Sequence, residues 1–142
     1  MSENENKKFY EQCESIIRTL MAEPGSFFFF KPVEPEIDGA PQYFQYITHP
    51  MCFYVIQEKL NAHAYSKPEE FIADVNLIWT NAKYYNGEKN HVYQSAESLS
   101  KKFEILCLSL PKTISPDEKV SDLQRYTEMR FKRYRQNKET HL

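Results

Sequence analysis

Apolar side chains recur at helical spacing in four stretches of the chain, separated by segments in which the spacing is lost. Phe9, Cys13, Ile16, Ile17 and Leu20 lie on one helical face and predict a helix over about Lys7–Ala22, stopped by Pro24-Gly25 and preceded by a flexible polar stretch, residues 1–6. A second helix is expected from about Cys52 to Leu60, with Met51, Val55 and Leu60 as inward candidates and Asn61-Ala62-His63 as its exit. Phe71, Val75, Ile78, Trp79 and Ala82 form the stripe of a third, which Ser66-Lys67-Pro68-Glu69 opens as a capping box with an early proline. Its stop is Tyr84-Tyr85-Asn86-Gly87. Asn90 then suits the N-cap of a fourth helix, where Val92, Ala96, Leu99, Phe103, Leu106 and Leu110 repeat until Pro111. A last helix, opened by Ser115-Pro116-Asp117-Glu118 and running to about Arg135, has a thinner face of Val120, Leu123, Tyr126 and Met129.

Residues 23–50 break the pattern. They hold Pro24, Pro32, Pro35, Pro41 and Pro50, yet also Phe27 to Phe30, Val33, Ile37, Tyr43, Phe44, Tyr46 and Ile47. A proline-pinned loop this rich in aromatics must fold back onto the domain, and long ordered loops in compact domains are usually functional. PQYFQYI is a candidate short helical turn within it. Four core helices and one long aromatic loop predict an all-α, antiparallel bundle with a cavity at one end.

Composition narrows the function classes. A chain of 142 residues is one domain's worth, and its 3 glycines argue against a turn-rich β architecture. No apolar run approaches the roughly 18 residues of a membrane span, and the polar start MSENENKK is no signal peptide. Cys13, Cys52 and Cys107 are scattered without C-x-x-C spacing, which predicts a reduced intracellular protein lacking a structural zinc site. The sequence holds no base–nucleophile–orienter set, no HExxH and no phosphate-cradling loop, so no catalytic, cofactor or metal residue is expected. Charge is uneven: residues 1–110 carry 10 Lys and Arg against 15 Asp and Glu, residues 111–142 carry 8 against 5. An acidic body suits a basic partner and suits bare nucleic acid poorly.

The candidate chemistry lies where the third helix ends. Asn86 stands between two helix ends, behind two tyrosines and opposite Val92, well placed to hold one polar group of a ligand. A helix C-cap is the plainer reading of an Asn before Gly87.

The pattern PV-x(7)-PQYFQYITHPM, then AYSKPEEFIADVNLIWTNAKYYN, then HVY resembles the bromodomain, the four-helix acetyl-lysine reader, over roughly residues 9–110. The resemblance implies a left-handed bundle of helices Z, A, B and C, with a long ZA loop and a short BC loop framing the ligand pocket, over residues 7–110, and residues 111–142 as a basic helical extension. It implies that Asn86 anchors the acetyl group and that Tyr43 reaches it through water. Phe27, Phe28 and Phe29 take the aromatic shelf, Val33 and Pro41 the wall, Val92 the gatekeeper position, and Asn81 and Tyr85 support the pocket. The implied partners are acetylated histone tails of H3 or H4 type; the implied form is a nuclear monomer that does not engage membranes. Two departures stand out: Phe27-Phe28 where many members carry Trp-Pro, and Cys52 where an Asp usually caps helix A, which leaves Thr48 or His49 as alternative starts.

The residues suit that ligand. Acetylation removes the lysine charge and adds a carbonyl acceptor and a methyl. Phe, Val, Pro and Tyr bury the stem at roughly 0.8 kcal/mol per CH₂, whereas an unmodified ammonium would be desolvated at a cost of several kcal/mol or more. One small side chain in a pre-formed pocket predicts micromolar to millimolar binding, on the order of −4 to −8 kcal/mol. The rival reading is a helical module whose pocket is degenerate and whose basic tail, residues 124–138, touches DNA, RNA or a nucleosome. A solvated helix packed on the bundle is the plainer account of that tail.

Overall fold

The computed structural model describes residues 2–111, and among them every regular element is helical. Helix α1 (Glu3–Met21) begins four residues before the expected Lys7, so residues 3–6, expected to be flexible, are helical. The reason is local: the Ser2 hydroxyl accepts from the Glu5 amide at 3.2 Å, and Glu3 and Glu5 place negative charge on the positive end of the helix dipole. The expected face is buried, joined by Tyr10.

The proline-rich stretch is folded, as its aromatics required. A 3-10 turn over Ser26–Phe29 is followed by two single-turn helices, α2 (Pro35–Asp38) and α3 (Tyr43–Tyr46), the latter inside PQYFQYI. Helix α4 (Phe53–Asn61) starts after Cys52, which sits at the N-cap without a side-chain cap bond. Thr48, His49 and Pro50 precede the helix, so the alternative starts are not used. The inward face is also corrected. Leu60 is buried as expected, but its companions are Phe53 and Ile56, a stripe at i, i+3, i+7, while Val55 and Met51 are only partly buried.

Helix α5 (Pro68–Tyr85) carries Pro68 in its first turn. Its capping carboxylate belongs to Glu70 and not to Glu69: Glu70 Oε1 accepts from the Ser66 amide at 2.9 Å, the Lys67 amide at 3.1 Å and the Ser66 hydroxyl. Helix α6 (His91–Leu106) has Asn90 as its N-cap, with Oδ1 accepting from the Val92 amide at 2.7 Å. The chain tightens into a 3-10 turn over Cys107–Ser109 where a helix to Leu110 was expected. The helix foreseen after Pro111 and the basic stretch 124–138 lie outside the described residues.

The four long helices make the bundle. α5 packs against α6 and α4, and α1 against α4 and α6. Connections as short as Asn86–Asn90 force consecutive helices to run antiparallel. Phe9, Phe53, Phe71 and Phe103 are wholly buried at the centre, with Phe71 edge-on to Phe9 and to Phe103. At the end of the bundle where α5 starts, a buried polar group closes the core. Asp74 Oδ2 accepts from the Tyr65 hydroxyl and from Lys59 Nζ, each at 2.6 Å, and the Tyr10 hydroxyl donates to the Tyr65 carbonyl at 2.6 Å. The other end is left to the loops.

Candidate functional site

Helix α5 delivers Asn86 to that loop end. Asn86 is the C-cap, with extended backbone (φ −100°, ψ 149°), and it uses the Ala82 carbonyl twice: its backbone N–H donates at 3.0 Å and its side-chain Nδ2 at 2.9 Å. A carboxamide NH₂ has two hydrogens, so one bond to Ala82 orients the group and leaves a second donor. The cap and the anchor are therefore compatible uses of the same side chain.

The residue before it ties the long loop down. The Tyr85 hydroxyl donates to the Pro41 carbonyl at 2.8 Å, and its ring meets that of Tyr43 edge-on, with centroids 5.1 Å apart. Tyr43 is buried with Ala40 and Ile47 in a small cluster onto which Val33, Tyr46, Tyr84 and Tyr85 pack. Burial pushes the Tyr43 phenol up to about 12, with Tyr85 and Cys52 adding to the effect; burial raises Tyr85 as well. Both hydroxyls are neutral donors at ordinary pH.

Asn81 lies one turn earlier on α5, 2% exposed, and its Nδ2 donates to the His49 carbonyl at 2.9 Å. It thus fixes the exit of the long loop, and its Oδ1 is buried with no hydrogen-bond partner among the described residues. The three shelf phenylalanines separate. Phe27 is 63% exposed and stacks on Phe28 at 4.2 Å; Phe28 is half-buried; Phe29 points into the main core, edge-on to Trp79 at 5.5 Å. Val92 sits in the first turn of α6, partly buried against the same core.

The described contacts thus bring Val33, Pro41, Tyr43 and Tyr85 together, while Phe28, Phe29 and Val92 belong to the main core. Sequence reasoning missed Ala40, whose methyl carries no periodicity to flag it. It also missed Asp74, a buried carboxylate set among apolar helix positions. Cys52 is buried and its thiol raised, chiefly by burial and against the opposing amides of Val55 and Tyr54, so it has no activated thiolate. No described residues form a cluster of three His, Cys, Asp or Glu that would hold a metal, and no described helix is long and apolar enough to cross a membrane.

The bromodomain family model matches residues 13–98. The chain belongs to the bromodomain family. This bromodomain is 40% identical over 105 residues to the transcription factor GTE11 of Arabidopsis thaliana, covering 74% of this chain and 17% of that protein. It is 35% identical over 104 residues to bdf1, the SWR1 complex bromodomain subunit of Schizosaccharomyces pombe, covering 73% and 18%. With the nucleosome-remodeling factor subunit NURF301 of Drosophila melanogaster it shares 32% identity over 93 residues, 66% of this chain and 3% of that protein. The match therefore spans less than a fifth of each of these relatives. They are transcription and chromatin factors by name, and bromodomains are acetyl-lysine reader modules, not enzymes.

Proposed function

We propose that this bromodomain binds acetylated lysine in histone-tail peptides in a pocket between the residues 22–52 loop and the Asn86–Asn90 loop, and that it brings its parent protein to acetylated chromatin in the nucleus. Asn86 is the anchor, donating its second N–H to the acetyl carbonyl. Tyr43 reaches the same oxygen through water. Val33, Pro41 and Tyr85 form one wall, Phe27, Phe28, Phe29 and Val92 the other, and Asn81 holds the loop. The single observation carrying this reading is the Asn86 carboxamide, bonded by one hydrogen to Ala82 at the helix end nearest the buried tyrosine cluster.

The chemistry favours a neutral guest. Val33, Tyr43, Tyr85 and Val92 offer apolar surface and neutral hydroxyls, with no carboxylate among them to repay the desolvation of an ammonium. A body carrying more acid than base attracts the cationic flanks of a histone tail.

Isothermal calorimetry with paired acetylated and unmodified tail peptides tests this. The acetylated peptide should bind in the micromolar to millimolar range and the unmodified one should not. Asn86→Ala should remove the binding while its circular dichroism stays native. Equal affinity for both peptides rejects the reading.

A further inference from the structure

We infer that Ser95 is a positioning residue: its contact with Gly25 sets how far the Phe27–Phe28 edge stands from α6, and so which acyl groups the pocket accepts. The inference rests on the acetyl-lysine reading above and names a specificity determinant of that site. Gly25 has a left-handed backbone (φ +80°), and a Cβ there would stand 2.5 Å from Ser95 Oγ and 3.2 Å from Ser95 Cβ. The main chain at Gly25 is therefore laid against Ser95 with no room between them.

That contact falls at the entry to the 3-10 turn over Ser26–Phe29. The turn is fixed on two further sides. Buried Ser26 donates from its hydroxyl to the Met21 carbonyl at 2.8 Å, and Phe29 is held edge-on to Trp79. The segment also meets α6 through the Glu23–Lys102 ion pair, and Ser95 is the α6 side chain that abuts the entry to the turn itself. Ser95 follows Val92 by three residues, so both look from one face of α6. The spacing fixed at Gly25–Ser95 is thus carried to the gap between Val92 and the stacked pair of exposed Phe27 and half-buried Phe28. A larger side chain at position 95 must push the turn outward and widen that gap, to the disadvantage of an acetyl group and the relief of a longer acyl chain.

The test uses the full chain carrying Ser95→Val or the smaller step Ser95→Thr, titrated by calorimetry with otherwise identical acetyl-lysine and butyryl-lysine peptides. The acetyl-over-butyryl preference should fall by about tenfold in Ser95→Val, the scale of one or two methylenes in an apolar pocket, and by less in Ser95→Thr. The Phe27 and Phe28 ring resonances should shift in both. Gly25→Ala should cause the same loss, partly recovered in a Ser95→Ala background that removes the 2.5 Å contact. Unchanged ring resonances in a folded Ser95 variant overturn the inference whether or not any peptide binds. Wild-type protein that fails to prefer acetylated over unmodified peptide instead rejects the underlying reading. Shifted rings with an unaltered acyl preference also overturn the claim that Ser95 governs specificity.

Discussion

Replacing Tyr65 with Phe isolates one buried hydrogen bond at the end of the bundle far from the loops. Tyr65 and Asp74 are 3% and 4% exposed, and the phenol donates to Asp74 Oδ2 at 2.6 Å. The same oxygen is held by Lys59 at 2.6 Å, whose ammonium also lies 4.8 Å from the centre of the Tyr65 ring. Phenylalanine keeps the ring, its edge-on contact with Phe71 and the cation–π contact, so the variant loses chiefly a hydrogen bond to a charged acceptor. Such bonds are worth about 1.5–3 kcal/mol. The midpoint shifts by roughly 4–8 °C per kcal/mol in domains of about 60–100 residues and by roughly 2–4 °C in those of about 150–250; at about 4 °C per kcal/mol, between the two, thermal unfolding should fall by roughly 6–12 °C. Asp74→Ala should cost more, because it strands the buried Tyr65 hydroxyl, an unmade bond of about 1–3 kcal/mol, and leaves a void where the carboxylate was, while Lys59, whose side chain is 37% exposed, turns to water. Asp74 precedes Asn86 by twelve residues, about 18 Å along a helix, so acetyl-peptide affinity measured below the transition should not change in Tyr65→Phe. A stability change under about 0.5 kcal/mol would refute the reasoning, since it would mean that the carboxylate is satisfied equally well without the phenol. Lost affinity at full folding would show instead that the two ends of α5 are coupled.

Two further outcomes follow from local geometry. Glu70→Ala removes the carboxylate that accepts from Ser66 and Lys67 and should destabilise the domain by about 1 kcal/mol in a urea melt. Tyr43 titrates near 12 when folded against an ordinary value of 10. From pH 10 to 12 the unfolded chain therefore loses a proton that the folded one keeps, and stability falls as pH rises; Tyr43→Phe should show a shallower fall over that window in the same melts.

How much could be seen in advance depended on what kind of signal each residue gives. Periodicity located α1, α5 and α6 because Phe9 to Leu20, Phe71 to Ala82 and Ala96 to Phe103 are buried at helical spacing, and burial is what periodicity records; α5 buries Ile72, Ala73, Asp74, Leu77 and Asn81 besides its expected stripe. It misjudged the inward face of α4, where Tyr54 and Val55 interleave with Phe53 and Ile56 over only nine residues and several stripes fit equally well. It placed the end of α1 at Ala22, the observed C-cap, but located neither the start of that helix nor the true capping carboxylate of α5. Those were decided by single side chains, Ser2 and Glu70, that compete with equally plausible neighbours. Within the site, the family pattern pointed to Tyr43, Tyr85 and Asn86, but it treated Phe27, Phe28 and Phe29 as one shelf. The turn of 3-10 helix sends Phe27 to solvent and Phe29 to Trp79. Four consecutive identical residues offer no sequence contrast from which such a division could be read.

Asn86 shows why the ambiguity of a motif need not be an ambiguity of mechanism. A side chain that only capped α5 would need one donor, and one that only gripped a ligand would be free to rotate. The bond from Nδ2 to the Ala82 carbonyl fixes the plane of the carboxamide before any ligand arrives. Ordering a rotamer-rich side chain on binding costs on the order of 0.5–1.5 kcal/mol, a cost that the cap has already met within the folded state. If an acetyl-lysine binds as proposed, on the order of −4 to −8 kcal/mol, that saving is a sizeable part of the affinity. The plainer role thereby becomes a condition of the sharper one: a helix terminus holds the amide still, and its remaining hydrogen is what a neutralised lysine can use.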